Sequence, residues 1–133
     1  MDTMNPRKHN HVILNNYQVN PQAINQAGVL DVFCENKRSV MTMRRKSTGS
    51  LIAIVAVGAM LVGSIFYMDG VERQGTEIRR GQCLGGFRYG GSTVIVLHPP
   101  GDVELDEDLV KNSCEEHCET LMKVGWRTGA KAS

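Results

Sequence analysis

Three groups of residues have types and spacings that can do chemistry. Gly90-Gly91-Ser92-Thr93 joins a glycine-dense turn directly to the apolar run Thr93-Val-Ile-Val-Leu97. A serine hydroxyl at such a junction can attack the carbonyl of the residue before it. Glycine at 91 leaves that carbonyl uncrowded and tolerates the backbone angles the attack needs. The same residues also spell an ordinary glycine-serine turn ahead of a strand, while a Walker-type phosphate loop would need a Lys-Ser/Thr pair that is absent. A second group, Cys114, His117 and Cys118, is spaced so that a helix would carry all three along one side. A structural zinc site needs a fourth ligand and usually two separated knuckles, so no metal is expected and the three read as helix surface and core. A third pair, His9 and His11, would share one face of a strand and reads as solvated imidazoles in a polar arm.

Composition bounds the partners. The chain has 133 residues and a net charge of +1, which suits one ordinary folded domain and gives no global sign of nucleic-acid binding. The balance hides a gradient: seven basic against three acidic side chains in residues 1–49, four against three in 50–100, and four against eight in 101–133. The basic start reads as a solvated face, with contact to an anionic membrane as the alternative. Four cysteines (Cys34, Cys83, Cys114 and Cys118) make no dense framework, and the N-terminus lacks the apolar core of a secretory signal. An intracellular, reducing setting is the expectation, either cytoplasmic or membrane-associated.

The elements that must position these residues are mostly strands. Residues 1–16 are polar and aperiodic and read as a loose arm. Tyr17–Ile24 carries a turn at Asn20-Pro21, Val29–Phe33 is a short apolar run, and Arg38–Met43 alternates as a half-buried strand before the basic turn Arg44–Gly49. Leu51 to Met68 holds eighteen uncharged residues after three cations, which fits a transmembrane helix or two buried strands joined near Gly58-Ala59-Met60. β-branched Ile52, Ile54, Val55, Val57, Val62 and Ile65 favour the strands. Downstream glycines leave no room for a helix, and Gly75–Gly81 reads as a tight turn between strand pieces. Thr93–Leu97 is the clearest strand, closed by Pro99, Pro100 and Gly101. Asp106–Cys118 is the one expected helix, with acidic residues crowding its start and Leu109, Val110 and Leu121 supplying an apolar side. Thr120–Val124 is expected as an edge strand.

Several stretches together resemble the phosphatidylserine decarboxylase family, its fungal members in particular. Tyr17-Gln-Val-Asn-Pro-Gln-Ala-Ile24 is similar to that family's tyrosine-x-valine-asparagine-proline segment, and Asp31–Val40 to the stretch that follows it. Val57-Gly-Ala-Met-Leu-Val-Gly-Ser-Ile65 resembles its valine-glycine-alanine segment. Ile78–Thr93 resembles the arginine-glycine turn and self-processing motif, and Glu104–Val110 with Val124–Gly129 resembles the tail. The resemblance covers residues 17–129 in order, leaving 1–16 as an unmatched polar arm and 130–133 as a tail. It implies a mainly β, α+β fold: part of a decarboxylase β-barrel or sandwich with one short helix near the C-terminus. It also turns the apolar run into buried β-structure.

The same resemblance implies a mechanism. Ser92 Oγ would attack the Gly91 carbonyl and cut the Gly91–Ser92 bond through an ester, with Gly90 and Thr93 supporting the turn. β-Elimination and hydrolysis would then leave a pyruvoyl group, so Ser92 is both the cofactor precursor and the Schiff-base site. The substrate would be phosphatidylserine, giving phosphatidylethanolamine, or a free amino acid. The other partners implied are the chain's own two cleaved pieces and a peripheral membrane contact, with no nucleic acid. Serine needs a base to attack, and the family's aspartate and histidine for that step belong to a portion upstream of the matched region. Neither His9 nor His11 matches that histidine. The chain therefore reads as the C-terminal portion of a decarboxylase that self-processes slowly or not at all in isolation. Its strands would have unpaired edges, and the alternative function is that of a non-catalytic binding or membrane-associated remnant.

Overall fold

The computed structural model describes residues 3–10, 36–59 and 64–132. Its elements in chain order are β1 (Thr3–Asn10), β2 (Arg38–Arg45), β3 (Leu51–Val57), β4 (Ser64–Tyr67), β5 (Ile78–Arg79), β6 (Gly85–Arg88), β7 (Thr93–Leu97), β8 (Val103–Leu105), α1 (Glu107–Cys114) and β9 (Gly129–Lys131). They form two compact units, residues 1–97 and 98–133, where the length alone suggested one domain. The first unit holds a five-stranded sheet in the order β5-β1-β2-β3-β7 and the two-stranded ribbon β4-β6. All pairings in that sheet are antiparallel.

Alternation explains which face of the sheet is covered. In β2 every second residue, Ser39, Met41 and Met43, is buried. The register places Met41 opposite Ile54 and Ile54 opposite Val96, while Ala56 pairs with both Ser39 and Val94. These residues share one face, because cross-strand partners point the same way. Met41 and Met43 pack there with Val71 and Ile78, with Ile54, Tyr67 and Leu84 filling around them. Ser39, the polar residue on this face, shares a 2.8 Å hydrogen bond with the Tyr67 hydroxyl.

The β4-β6 ribbon depends on two glycines. A Cβ on Gly85 would lie 2.1 Å from the Phe66 carbonyl oxygen, so only glycine lets the two backbones meet. At Gly86 the site opposite is filled by the Phe66 ring, 3.3 Å from where a Cβ would stand, so the ring packs over the bare backbone. The Arg88 guanidinium lies 5.6 Å from the centre of that ring.

Some elements follow the sequence reading and others depart from it. Thr3–Asn10 is strand β1, between β2 and β5, where a loose arm was expected; polar residues can form a strand when neighbours on both sides take up their backbone bonds. Among the described residues the sheets stay open and the fold is mainly β with one short helix, as expected for part of a barrel or sandwich. The uncharged run from Leu51 contains strands β3 and β4, and no helix among the described residues is long and apolar enough to cross a membrane. Gly75–Gly81 is not only a turn: Ile78–Arg79 within it makes strand β5. The expected stretches Tyr17–Ile24 and Val29–Phe33 lie outside the described residues.

The second unit is small and wet. Helix α1 covers Glu107–Cys114, so Asp106 is its N-cap residue and the helix ends four residues earlier than expected. None of its residues is buried. Thr120–Val124 forms no strand; instead β8 pairs with β9, a ribbon that period-two alternation did not reveal in such short pieces. Asp106 holds the ribbon's end through a bidentate pair with Arg127, and its N–H donates to the Thr128 carbonyl at 3.1 Å. That carboxylate holds the Arg127 guanidinium above its ordinary value.

Two outcomes follow from this packing. Met41→Ala is expected to lower unfolding stability by about 2–5 kcal/mol, read from urea melts, because the cavity it leaves faces the sheet's central strands. Lys46 forms an ion pair with Glu77, and its ammonium, by hydrogen bond first and charge second, holds the Glu77 carboxyl below the usual carboxylate value. A lowered folded value makes the contribution present at neutral pH and lost as pH falls through that value. NMR titration of Lys46→Ala is expected to move Glu77 back up; an unmoved carboxyl would mean the pair does not form in solution.

Candidate functional site

The five β3–β7 pairs decide where Ser92 lies. Thr93, the first residue of β7, is opposite Val57, the last of β3, so Ser92 stands just outside the final pair. Its hydroxyl donates a 2.5 Å hydrogen bond to the Val57 carbonyl, and the pair is partly buried. The corner that accepts this bond is itself anchored. Gly58 donates its N–H to the Lys37 carbonyl at 2.7 Å and accepts a 2.9 Å bond from the buried Asn36 amide. The hydroxyl oxygen of Ser92 is thereby held at one place against a well-tied backbone.

The other approach to Ser92 is strained and open. β6 ends at Arg88, and the chain then passes through Tyr89 at φ 67° and Gly90 at φ 123°. A bulky side chain in the left-handed region costs on the order of 1–3 kcal/mol. Tyr89 is 85% exposed, so no packing in the core offsets that cost. Gly91 keeps a negative φ and is exposed, with nothing within 4 Å of where a side chain would start. The junction combines a fixed hydroxyl, a glycine before it with open space where a side chain would start, and a turn under strain. Tyr89 was not singled out from sequence, and its signal there is only its position between Arg88 and two glycines.

Next to this junction lies an apolar cavity of about 210 Å³ between the sheet and the β4-β6 ribbon. Ile54, Ala56, Val94 and Val96 form the sheet wall, and Ile65, Phe66 and Phe87 are among the ribbon residues. Val94 is two residues after Ser92. The junction can thus present a nucleophile beside a space suited to an apolar group.

The remaining candidates do not assemble. Helix α1 stops at Cys114, and His117 has φ 52°, so Cys114, His117 and Cys118 do not line one side of a helix. Both thiols are free and exposed. Among the described residues no group of three His, Cys, Asp or Glu is placed to hold a metal ion. His9 belongs to the backbone of β1, and His11 lies outside the described residues. Asn36→Ala is expected to cost about 1–3 kcal/mol, since it removes the amide that pairs with the buried Gly58 carbonyl. Hydrogen exchange should quicken at the Gly58 end of β3 and at Thr93, and unchanged protection there would show that Asn36 does not hold the corner.

Comparison with known proteins places this junction in a wider sequence context. A profile of the phosphatidylserine decarboxylase family matches residues 4–124, which includes most of the arm that sequence reading set apart at 1–16. Phosphatidylserine decarboxylase proenzyme 3 of Schizosaccharomyces pombe is 44% identical over 116 residues, 86% of this chain and 11% of that protein. Phosphatidylserine decarboxylase proenzyme 2 of rice is 41% identical over 85% of the chain and 17% of its own length. The Chlamydia caviae proenzyme is 38% identical over 73% of the chain and 30% of its own length. The chain therefore spans about a tenth to a third of these relatives. No solved structure matches it. With the profile running through both the β-sheet and the Gly-Gly-Ser-Thr junction, the chain belongs to the phosphatidylserine decarboxylase family.

Proposed function

We propose that this chain carries the self-processing serine of a pyruvoyl-dependent phosphatidylserine decarboxylase, with Gly91–Ser92 as the bond that is cut. The observation that carries the reading is the Ser92 hydroxyl, fixed on the Val57 carbonyl directly after the open Gly90-Gly91 turn. In the proposed step, Ser92 Oγ bonds to the Gly91 carbonyl carbon as the Gly91–Ser92 carbon–nitrogen bond breaks. The hydroxyl proton passes to the freed Ser92 nitrogen, so peptide becomes ester with nothing added. Elimination then releases Gly91 as a carboxylate, and water replaces the nitrogen as ammonia, leaving a ketone on residue 92. The residues fit this group: Ser92 is partly buried, and its neighbour is a glycine with free space where a side chain would start.

Once formed, a pyruvoyl group supplies the electron sink for loss of carbon dioxide from an amine-bearing substrate. The chain's own residues contribute position and solvent exclusion. β7 stays bonded to β3 along five pairs, which would keep residues 92–133 attached to 1–91 after the cut. The apolar wall at Val94 and Val96 favours a substrate with hydrocarbon chains, phosphatidylserine, over a free amino acid. Contact with a membrane would follow from that substrate.

One observation favours the alternative, a chain that stays uncut and acts by binding. The acceptor of the Ser92 proton is a backbone carbonyl, which orients the hydroxyl but is no base to activate it. Intact mass after hydroxylamine treatment separates the two, because hydroxylamine traps an ester. Processing predicts pieces 1–91 and 92–133 from the natural chain and none from Ser92→Ala. Decarboxylation of carboxyl-labelled phosphatidylserine, compared with labelled serine, then identifies the substrate. A natural chain that stays as whole as Ser92→Ala would sink the processing reading.

A further inference from the structure

Among the described residues, Tyr89 and His117 are the residues other than glycine with a positive φ. His117 lies just past α1, where a left-handed residue commonly turns the chain away from a helix. Tyr89 has no such setting and lies between two ends that are held from outside. Arg88, the last residue of β6, pairs with Ser64 and keeps its guanidinium 5.6 Å from the centre of the Phe66 ring. Thr93, the first residue of β7, pairs with Val57, whose carbonyl also takes the Ser92 hydroxyl. The link from Tyr89 to Ser92 must span these fixed ends. Left-handed angles disfavour any residue with a Cβ, and a bulky one that cannot bond to its own backbone most of all. The sequence supplies glycine at 85, 86, 90 and 91, yet tyrosine at this left-handed position. Its exposed ring gains little packing in return among the described residues.

We infer that Tyr89 is a positioning residue for the cut at Gly91–Ser92: its left-handed backbone holds the link in a strained state that ester formation relieves. The inference rests on the processing reading above. In that step a bond from Ser92 Oγ to the Gly91 carbonyl carbon replaces the carbon–nitrogen bond, and the hydroxyl proton ends on the Ser92 nitrogen. The path from the Gly91 carbonyl carbon to Ser92 Cα then runs through Oγ and Cβ instead of through the nitrogen alone. The link lengthens, and Tyr89 can leave the left-handed region while β6 and β7 stay where they are. Elimination then frees Gly91 as a chain end and completes the relief. Strain present before the bond exchange and lost during it lowers the barrier, whereas strain kept throughout would not change the rate. Tyr89 acts through its backbone, so its ring has no part in the effect. A residue held at such angles is worth about a 5- to 150-fold change in an equilibrium or a rate.

Glycine and alanine at position 89 separate backbone strain from ring contacts, since both remove the ring and only alanine keeps the left-handed penalty. Followed by intact mass in hydroxylamine, Tyr89→Gly should cut about fivefold or more slowly than Tyr89→Ala. Tyr89→Asn should also cut more slowly than Tyr89→Ala, because asparagine tolerates left-handed angles without the added freedom of glycine. In chains made uncuttable by Ser92→Ala, urea melts should give Tyr89→Gly a larger folding equilibrium constant than Tyr89→Ala, by a comparable factor. Equal cutting rates for the glycine and alanine variants overturn the proposal and leave the processing reading standing. Slower cutting without the gain in stability also overturns it, since the turn would then act through flexibility rather than strain. A natural chain that stays as whole as Ser92→Ala overturns the processing reading and this proposal together.

Discussion

The pairing of β3 with β7 is the constraint on which the rest of the molecule depends. Five consecutive antiparallel pairs bring Thr93 against Val57, residues 36 positions apart in the chain. Only because of that register does the Ser92 hydroxyl find a carbonyl to bond, and only because of Asn36 and Lys37 does that carbonyl belong to a backbone that stays put. Shift β7 by one residue and every side chain changes face: Val94 and Val96 leave the cavity wall, and Ser92 loses its acceptor. The chemistry of one hydroxyl is therefore tied to the register of a whole sheet.

The same sheet explains how a strained turn can persist. Tyr89 and Gly90 take left-handed backbone angles between two elements that are each held elsewhere, β6 by its ribbon with β4 and β7 by β3. Gly85 allows the β4 and β6 backbones to close to a distance no side chain would permit, so β6 has little freedom to relieve the turn that follows. Strain, openness at Gly91 and a fixed Ser92 are thus three results of one arrangement. Processing chemistry at such a junction would draw on that arrangement, and a binding role would leave it intact.

The two units differ in how they earn their order. Residues 1–97 contain a buried cluster of Met41, Met43, Val71 and Ile78 under a broad sheet. Residues 98–133 bury no helix residue and rely on polar closure, with Asp106 bonded to both Arg127 and the Thr128 backbone. Below about 40 residues a chain segment seldom buries enough apolar surface to be stable alone. The acidic character of this region, read from composition, goes with a surface that is almost wholly wet.

Much of the fold is legible in the sequence alone. Alternation at Arg38–Met43 and the β-branched run at Thr93–Leu97 marked two strands that the fold contains, because period two survives wherever one face is covered. The matching segments pointed to the family, and glycines 90 and 91 drew attention to Ser92. What sequence could not decide was anything set by partners far along the chain. A polar stretch at Thr3–Asn10 becomes a strand because β2 and β5 accept it, the two-residue β5 and three-residue β8 and β9 exist only through their pairing, and β7, apolar enough for a buried core strand, stands at an edge. Composition and periodicity record what each segment prefers; which neighbour it meets, and hence which carbonyl receives the Ser92 hydroxyl, is a property of tertiary register that no local window contains.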